Sequence, residues 1–105
     1  MKYHNQKTEH AGRLFHSKKE ANFARVLDTL RKAKNIKDRV TDIEYQPKFP
    51  IVIKDKRICV YIADFRVRYA DEREEIIDVK GYRTALYVLK KKLVEVLYGI
   101  EIKEV

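Results

Sequence analysis

Three acids and one lysine of this chain are placed where they could do chemistry together: Glu20, Asp64, Asp78 and Lys80. The stretch 76–81 is β-prone, and on a strand Asp78 and Lys80 would project to the same side as a neighbouring anion and cation. Alone, such a pair is more typical of an ion pair on an exposed strand. Asp64 in an otherwise apolar run, and Glu20 near the start of an amphipathic helix, favour a functional site instead.

The residue types indicate which chemistry such a site would perform. Carboxylates supply the hard oxygen ligands that suit Mg²⁺ or Mn²⁺, whereas a zinc site would need a Cys or His cluster. A lysine beside the metal can orient and help to activate a water molecule, and it can neutralise charge on a pentavalent phosphorane. An ordinary lysine has a pKa of about 10.4, so Lys80 would need burial or a nearby cation to act as a base. Together these roles describe the hydrolysis of a phosphodiester bond.

Glu20 has two interpretations. The sequence 17–20, Ser-Lys-Lys-Glu, has the form of a capping box, in which the glutamate only caps a helix. However, Glu20, Ala24 and Leu27 recur at helical spacing, so Glu20 would lie at the end of the buried stripe and could face a cleft. We predict a helix that begins after Ser17 and ends near a C-cap at Asn35, and both roles of Glu20 stay open.

The middle of the chain predicts strands. Alternation over 40–49 predicts an edge strand, or one that breaks near its end, because Pro47 and Pro50 lack a backbone donor. A short apolar run at 51–53 leads into a hairpin tip at 54–56. One long strand is expected over 57–69, and its apolar side chains on both faces indicate a central position in the sheet.

The next strand, over 74–79, is expected to return antiparallel to the long one after a charged turn. Asp64 and Asp78 would then face one cleft. Thr84 and Gly99 predict the start and end of a second helix, followed by a short strand parallel to the strand that carries Asp78. The expected core stripe of this helix is Leu86, Leu89, Leu93, Val96 and Leu97, with Lys90, Lys91 and Lys92 as a basic band on the other side.

Near the start of the chain, Gly12 predicts a small hairpin that leads into the first helix. His4, His10 and His16 recur every six residues, a spacing that places no two of them on one helical turn. We expect them to be solvated rather than to bind zinc.

Composition indicates one globular domain, 1–105, with a polyanionic partner. The chain has 105 residues, with 24 Lys and Arg against 16 Asp and Glu, and a formal net charge of +8. Such a balance favours nucleic acid over a membrane as the partner. The one cysteine, Cys59, excludes an internal disulfide and fits a core position in a reducing compartment. No apolar run approaches the roughly 20 residues of a membrane span, and we expect a cytoplasmic protein.

The order of these residues resembles the PD-(D/E)xK nuclease superfamily, whose core runs helix, three-stranded antiparallel meander, helix, parallel strand. The expected fold class is therefore α/β (α+β) with a restriction-endonuclease-like core. Ala63 stands where many members have proline, at a position that varies. Four blocks in order resemble a family of small phage and prophage nucleases related to Holliday junction resolvases: Ser17-Lys18-Lys19-Glu20-Ala21, Gln46-Pro47-Lys48-Phe49, Tyr61-Ile62-Ala63-Asp64-Phe65 and Asp78-Val79-Lys80-Gly81.

The resemblance implies roles for individual residues. Asp64, Asp78 and the carbonyl of Val79 would bind Mg²⁺ or Mn²⁺, with Glu20 joining directly or through water, and Lys80 would position the nucleophile. Contacts to DNA are expected from Lys19, Gln46, Arg66, Tyr82, Arg83, Lys90 and Lys91.

The resemblance implies an endonuclease acting on branched DNA as a C2 homodimer, because a resolvase must cut two strands symmetrically. Two alternatives remain. The chain could be a restriction-like, transposase-like, flap or single-strand nuclease, or a catalytically inactive nucleic-acid-binding module. The intact set of Glu20, Asp64, Asp78 and Lys80 argues against the inactive module, whereas the sequence does not separate the nuclease classes.

Overall fold

A computed structural model describes residues 8–105, and it has an α+β fold with two helices and three sheets. His4 lies outside the described residues. No helix within 8–105 is long and apolar enough to cross a membrane. The elements in chain order are β1 (Thr8–His10), β2 (Arg13–Phe15), α1 (Lys18–Leu30), β3 (Val40–Tyr45), β4 (Lys48–Ile53), β5 (Lys56–Ile62), β6 (Phe65–Tyr69), β7 (Glu74–Asp78), α2 (Ala85–Tyr98) and β8 (Ile102–Glu104).

The largest sheet has the strand order β3-β6-β7-β8. Strands β3, β6 and β7 pair antiparallel, and β8 pairs parallel to β7. A parallel pair needs a long crossover, which α2 supplies here. The predicted antiparallel return of the strand that carries Asp78, and the parallel pairing of the last strand with it, are confirmed. The hairpin predicted around Gly12 is also confirmed, as β1 and β2.

The predicted long strand over 57–69 is wrong as a single element. It is broken at Ala63 and Asp64 into β5 and β6, and the segment 40–49 is broken opposite it at Gln46 and Pro47. Gln46 has a positive φ of 54°, and its amide donates to the Asp64 carbonyl at 2.9 Å. The Ala63 amide donates to the Pro47 carbonyl at 3.1 Å. Asp64 therefore lies at a bend in the sheet rather than within a strand.

The bend decides which side chains are covered. The alternation predicted Tyr61, Ala63 and Phe65 on one face, and this is wrong across the bend: Tyr61 and Ala63 are buried on the side of α2, whereas Phe65 is buried on the side of α1. On the other face of β5, Ile58 and Ile62 are exposed. Apolar residues on both faces therefore indicate a central strand only for β6, because β5 pairs with β4 alone.

The two helices cover two apolar clusters. The cluster beside α1 includes Ala21, Ala24, Leu27, Phe65, Val67 and Ile77, and the cluster beside α2 includes Phe49, Ile51, Tyr61, Ile76, Tyr87 and Val94. Strands β6 and β7 thus stand between two cores, which explains their nearly continuous burial.

Helix α1 begins as predicted and ends earlier. The amide of Glu20 donates to Ser17 Oγ at 3.1 Å, which confirms the N-cap. The helix ends at Leu30, with Arg31 as the C-cap, so the prediction of a C-cap at Asn35 is wrong. Asn35 Oδ1 instead accepts from the amide of Lys37 at 2.9 Å and stabilises a separate turn.

Helix α2 is capped as predicted, but it turns a different face to the sheet than the sequence predicted. The amide of Tyr87 donates to Thr84 Oγ1 at 3.0 Å, and Gly99 is left-handed with a φ of 65°. Its buried residues are Tyr87 and Val94, so the predicted core stripe is wrong. Of that stripe, Leu93 is partly buried, whereas Leu86, Leu89, Val96 and Leu97 are exposed.

The predicted basic band of α2 is wrong as well. Lys90 Nζ donates to the Val60 carbonyl at 3.2 Å, and Lys91 Nζ lies 3.1 Å from Glu95 Oε2. Both lysines are partly buried against the protein, whereas Lys92 is exposed. The helix has two apolar arcs, and the sheet takes the arc that carries the large ring of Tyr87.

Two valines of α2 test this rotation. Val94 is fully buried and Val96 is 81% exposed. We expect Val94→Ala to lower the free energy of unfolding by about 2 kcal/mol, because it removes buried methyl groups and leaves a cavity. Val96→Ala should change it by no more than about 0.5 kcal/mol. Urea denaturation of both variants measures the difference, and equal losses would contradict the observed orientation.

Candidate active site

Asp78, the last residue of β7, carries the most unusual carboxylate of the described chain. It is 1% exposed, and neither of its side-chain oxygens has a hydrogen-bond partner within residues 8–105. Lys80 Nζ lies 3.7 Å from Asp78 Oδ1, which is too long for a hydrogen bond. Burial raises the pKa of Asp78 to about 6, although the charge of Lys80 acts to lower it. A buried carboxylate in this state is costly unless a cation meets it.

Asp64 is connected to the same strand end by a direct hydrogen bond. The amide of Val79 donates to Asp64 Oδ2 at 2.7 Å, and the amide of Asp64 donates to the Ile77 carbonyl at 3.2 Å. The bend between β5 and β6 is thereby held against the end of β7. These contacts bring Asp64 next to the end of the strand that carries Asp78.

Glu20 joins the two aspartates from α1. Its side chain accepts from the amide of His16 at 3.4 Å rather than from the cap amide of Ser17, so the second half of the capping box does not form. Burial, together with the neighbouring Asp64 carboxyl, raises the pKa of Glu20 to about 8. The carboxyl group of Glu20 therefore lies against that of Asp64 in a partly buried setting.

The donor chemistry of this acidic cluster, Glu20, Asp64 and Asp78, fits a divalent cation. In the described part of the chain, no three His, Cys, Asp or Glu side chains already stand where one ion could contact all of them. Asp78 nevertheless has two buried oxygens without a hydrogen-bond partner in the described residues, and Glu20 lies close to Asp64. Carboxylate oxygens of this kind are the ligands that Mg²⁺ and Mn²⁺ take.

Lys80 is positioned by three elements around the acidic cluster. Its amide donates to the Val105 carbonyl at 3.2 Å, and its carbonyl accepts from Lys19 Nζ at 3.0 Å. Lys80 Nζ lies 4.3 Å from the centre of the Tyr87 ring, within the range of a cation–π contact. The ammonium is thus held between the Asp78 carboxylate and an aromatic face.

Sequence reasoning missed two residues of this region, Glu104 and Tyr87. Glu104 is paired with Asp78 in the parallel ladder of β7 and β8, and its charge raises the pKa of Asp78 further. The Tyr87 hydroxyl donates to Glu104 Oε2 at 2.6 Å, and Arg83 Nε lies 3.3 Å from the same oxygen. The short strand predicted at the end of the chain could have pointed to Glu104. The apolar pattern alone, however, does not reveal which residue of β7 lies opposite it.

The residues predicted to contact DNA fall into two groups. Lys19 and Arg83 lie beside the site through their contacts with Lys80 and Glu104, and Gln46 lies at the bend next to Asp64.

The other predicted DNA contacts lie elsewhere or serve the fold. Arg66 Nη1 lies 3.3 Å from Glu44 Oε1, and its guanidinium stacks on Phe49, so it does not join the acidic cluster. Lys91 pairs with Glu95 inside α2. Tyr82 is exposed just after the strand end, and Lys90 faces β5.

Fold and site together define an α+β domain with an acidic cluster and a lysine at the end of a central strand. Residues 1–104 match the family described as "Protein of unknown function (DUF1064)". The chain belongs to this family. No curated protein and no solved structure matches the chain.

The raised pKa values predict how stability depends on pH in metal-free protein. Folded Glu20 keeps its proton up to about pH 8, whereas the unfolded side chain releases it near 4.5. Likewise, the pKa of Asp78 is 3.8 in the unfolded chain and about 6 in the folded protein. The folded state therefore binds more protons in these windows, and the free energy of unfolding from these groups falls as pH rises through them.

We expect Glu20→Gln to remove much of this pH dependence between about pH 5 and about pH 8, because the amide does not titrate. Urea denaturation with a chelator present, repeated across this range, measures the slope. Glu101→Gln is the matched control, since Glu101 is exposed and away from the acidic cluster. Parallel curves for Glu20→Gln and wild type would contradict the prediction.

Proposed function

We propose that this chain is a Mg²⁺- or Mn²⁺-dependent endonuclease of the PD-(D/E)xK type, with a restriction-endonuclease-like core, that hydrolyses phosphodiester bonds of DNA. The observation that carries the proposal is the buried Asp78 carboxylate, which has no hydrogen-bond partner within residues 8–105. It lies beside Asp64, Glu20 and Lys80. The antiparallel meander followed by a helix and a parallel strand is also the arrangement that this class of nuclease would need.

In this proposal Asp64, Asp78 and the carbonyl of Val79 hold the metal, and Glu20 joins them. When bound, the divalent cation polarises a phosphoryl oxygen of the substrate. Glu20 would have to lose its proton before its carboxylate could hold a cation, because its pKa is raised to about 8, whereas Asp78, with a pKa of about 6, is mostly ionised at neutral pH.

Lys80 is the residue that positions the nucleophile. Its ammonium can donate to an attacking water molecule and to a phosphate oxygen while it stays near Asp78 Oδ1. The Tyr87 ring restricts the ammonium on one side, so its donors are directed into the site. Holding these donors in place before the reaction lowers the cost of orienting them during it.

The DNA partner is supported by charge. The formal net charge of +8 favours a polyanion, and Lys19 and Arg83 stand beside the acidic cluster. We propose branched DNA, such as a four-way junction, as the substrate. A restriction-like, transposase-like, flap or single-strand nuclease and an inactive binding module are the competing functions.

A homodimer is part of the proposal, and α2 offers the surface for it. Its outer side carries Leu86, Leu89, Val96 and Leu97, which are exposed along the whole helix, with Leu93 partly buried between them. A continuous apolar stripe of this kind is unusual on a monomer. Two copies related by a C2 axis can cover each other's stripe, because the same residues face themselves across the axis.

Substitution of the site residues tests the nuclease. We expect Asp78→Asn and Lys80→Ala to lower metal-dependent cleavage by at least about 100-fold, because one removes a metal ligand and the other the group that orients the nucleophile. Circular dichroism and DNA affinity should stay close to wild type. Lys56→Ala is the control, since Lys56 is an exposed lysine at the β4–β5 hairpin tip. Wild-type rates in either site variant would refute the site assignment.

The substrate class is tested with labelled DNA. A four-way junction is incubated beside duplex, flap and single-stranded DNA, with Mg²⁺, with Mn²⁺ and with a chelator. Paired, metal-dependent nicks at the junction support the resolving nuclease. Cleavage of the other substrates alone supports another nuclease class, and binding without cleavage under either metal supports the inactive module.

The dimer is tested by sedimentation equilibrium at micromolar protein. We expect wild type to sediment as a dimer and Val96→Glu as a monomer, because the substitution would bury a charge in the apolar interface. Val26→Glu is the control, since Val26 is an exposed valine on α1, outside the α2 stripe. A monomeric wild type would refute the dimer, and a dimeric Val96→Glu would refute the α2 interface.

A further inference from the structure

A cavity of about 310 Å³ opens between β5 and the first turns of α2, next to the acidic cluster. Its lining includes Tyr61, Ile62, Lys80, Leu86, Tyr87 and Lys90. Lys80 belongs both to this cavity and to the candidate active site. A ligand in the cavity would therefore lie directly beside the bond that the proposed nuclease cleaves.

The hydroxyl of Tyr61 is the first indication of a ligand. Tyr61 is 3% exposed, and its hydroxyl has no hydrogen-bond partner among the residues that the structure describes. A buried polar group without a partner costs free energy, so a role outside the fold is the better explanation of it. Phenylalanine would fill the same space without this cost.

Lys90 and the walls supply the rest of the site. Lys90 Nζ donates to the Val60 carbonyl, but an ammonium has three donors and can also contact a ligand. The rings of Tyr61 and Tyr87 are 6.2 Å apart at a tilt of 35°, and Leu86 and Ile62 are exposed apolar residues on the lining. The cavity thus combines apolar walls with a few hydrogen-bonding groups.

A ligand that fits this chemistry is flat, has apolar faces and carries hydrogen-bonding groups at its edge. Nucleobases have these properties, and they stack on aromatic side chains. We propose that the cavity binds one unpaired nucleobase of the nucleic-acid substrate, while the phosphate attached to that nucleotide lies at Lys80. The inference rests on the proposed nuclease function and narrows its substrate to DNA with unpaired nucleotides next to the scissile bond.

The bound base should be unpaired, because an unpaired base reaches the cavity more easily than a paired one. A base inside a duplex is stacked on both faces and must be unstacked and unpaired, at a cost in free energy, before it can enter a cavity in the protein. Flaps, single strands and the branch points of junctions release bases at little cost. Binding in the cavity therefore favours those substrates over continuous duplex.

Tyr61→Phe provides the test, because it removes only the hydroxyl that has no partner in the described structure. We expect the variant to be as stable as wild type or slightly more stable. Binding is measured with the four deoxynucleoside 5′-monophosphates in the presence of a chelator, by following backbone amide signals in NMR. Saturable shifts are expected at Val60, Ile62 and Lys90, with affinity weakened about five- to tenfold in Tyr61→Phe.

Two controls isolate the base and the cavity. Inorganic phosphate should not shift these amides, since it lacks the base. Tyr98→Phe should leave the affinity unchanged, because the Tyr98 hydroxyl donates to the Pro50 carbonyl and lies outside the cavity. The inference is overturned if no nucleotide gives saturable shifts, or if Tyr61→Phe binds as tightly as wild type.

The same variants separate this inference from the proposed nuclease. Nucleotide binding is measured without metal and in Asp78→Asn, so a protein that binds nucleotides but never cleaves DNA keeps the cavity and loses the nuclease. A protein that cleaves duplex and flap DNA equally well, with no effect of Tyr61→Phe on KM or kcat, keeps the nuclease and loses the cavity.

Discussion

The hydrogen bond from the Val79 amide to Asp64 Oδ2 is the interaction on which the site depends. It joins the bend between β5 and β6 to the end of β7, two places that are 15 residues apart in the chain. The bend itself needs Pro47, which lacks a donor, and Gln46, which accepts a positive φ. The sheet is interrupted at this point. As a result, the Asp64 carboxylate lies beside the end of β7 rather than within the core.

Two of the acids, Asp78 and Glu20, lower the stability of the fold that positions them. Asp78 is buried without a hydrogen-bond partner among the described residues, and Glu20 holds a proton at a pH where an ordinary glutamate has lost it. Both conditions cost stability in the metal-free protein. Buried carboxylates of this kind recur at functional sites, where the binding of a cation offsets the loss of stability.

Helix α2 connects the other proposals, because its rotation divides its apolar residues between three surroundings. Tyr87 and Val94 are buried against the sheet, and Tyr87 also contacts Lys80 and Glu104. Leu86 lies at the mouth of the cavity next to Lys80. Leu86 also begins the outer stripe proposed to meet a second copy, which continues through residues such as Val96. One helix would therefore support catalysis, base recognition and dimer formation, with few residues serving two roles.

The sequence by itself determined the elements whose signals are local: the cap at Ser17, the turn at Gly12 and the cap at Thr84. It also singled out Glu20, Asp64, Asp78 and Lys80, because charged residues in apolar runs stand out in any register. Only the tertiary structure decided the bend at Asp64, the rotation of α2 and the placement of Glu104. These features depend on which strand pairs with which and on which of two apolar arcs meets the sheet, and such long-range choices leave no trace in the spacing of neighbouring residues.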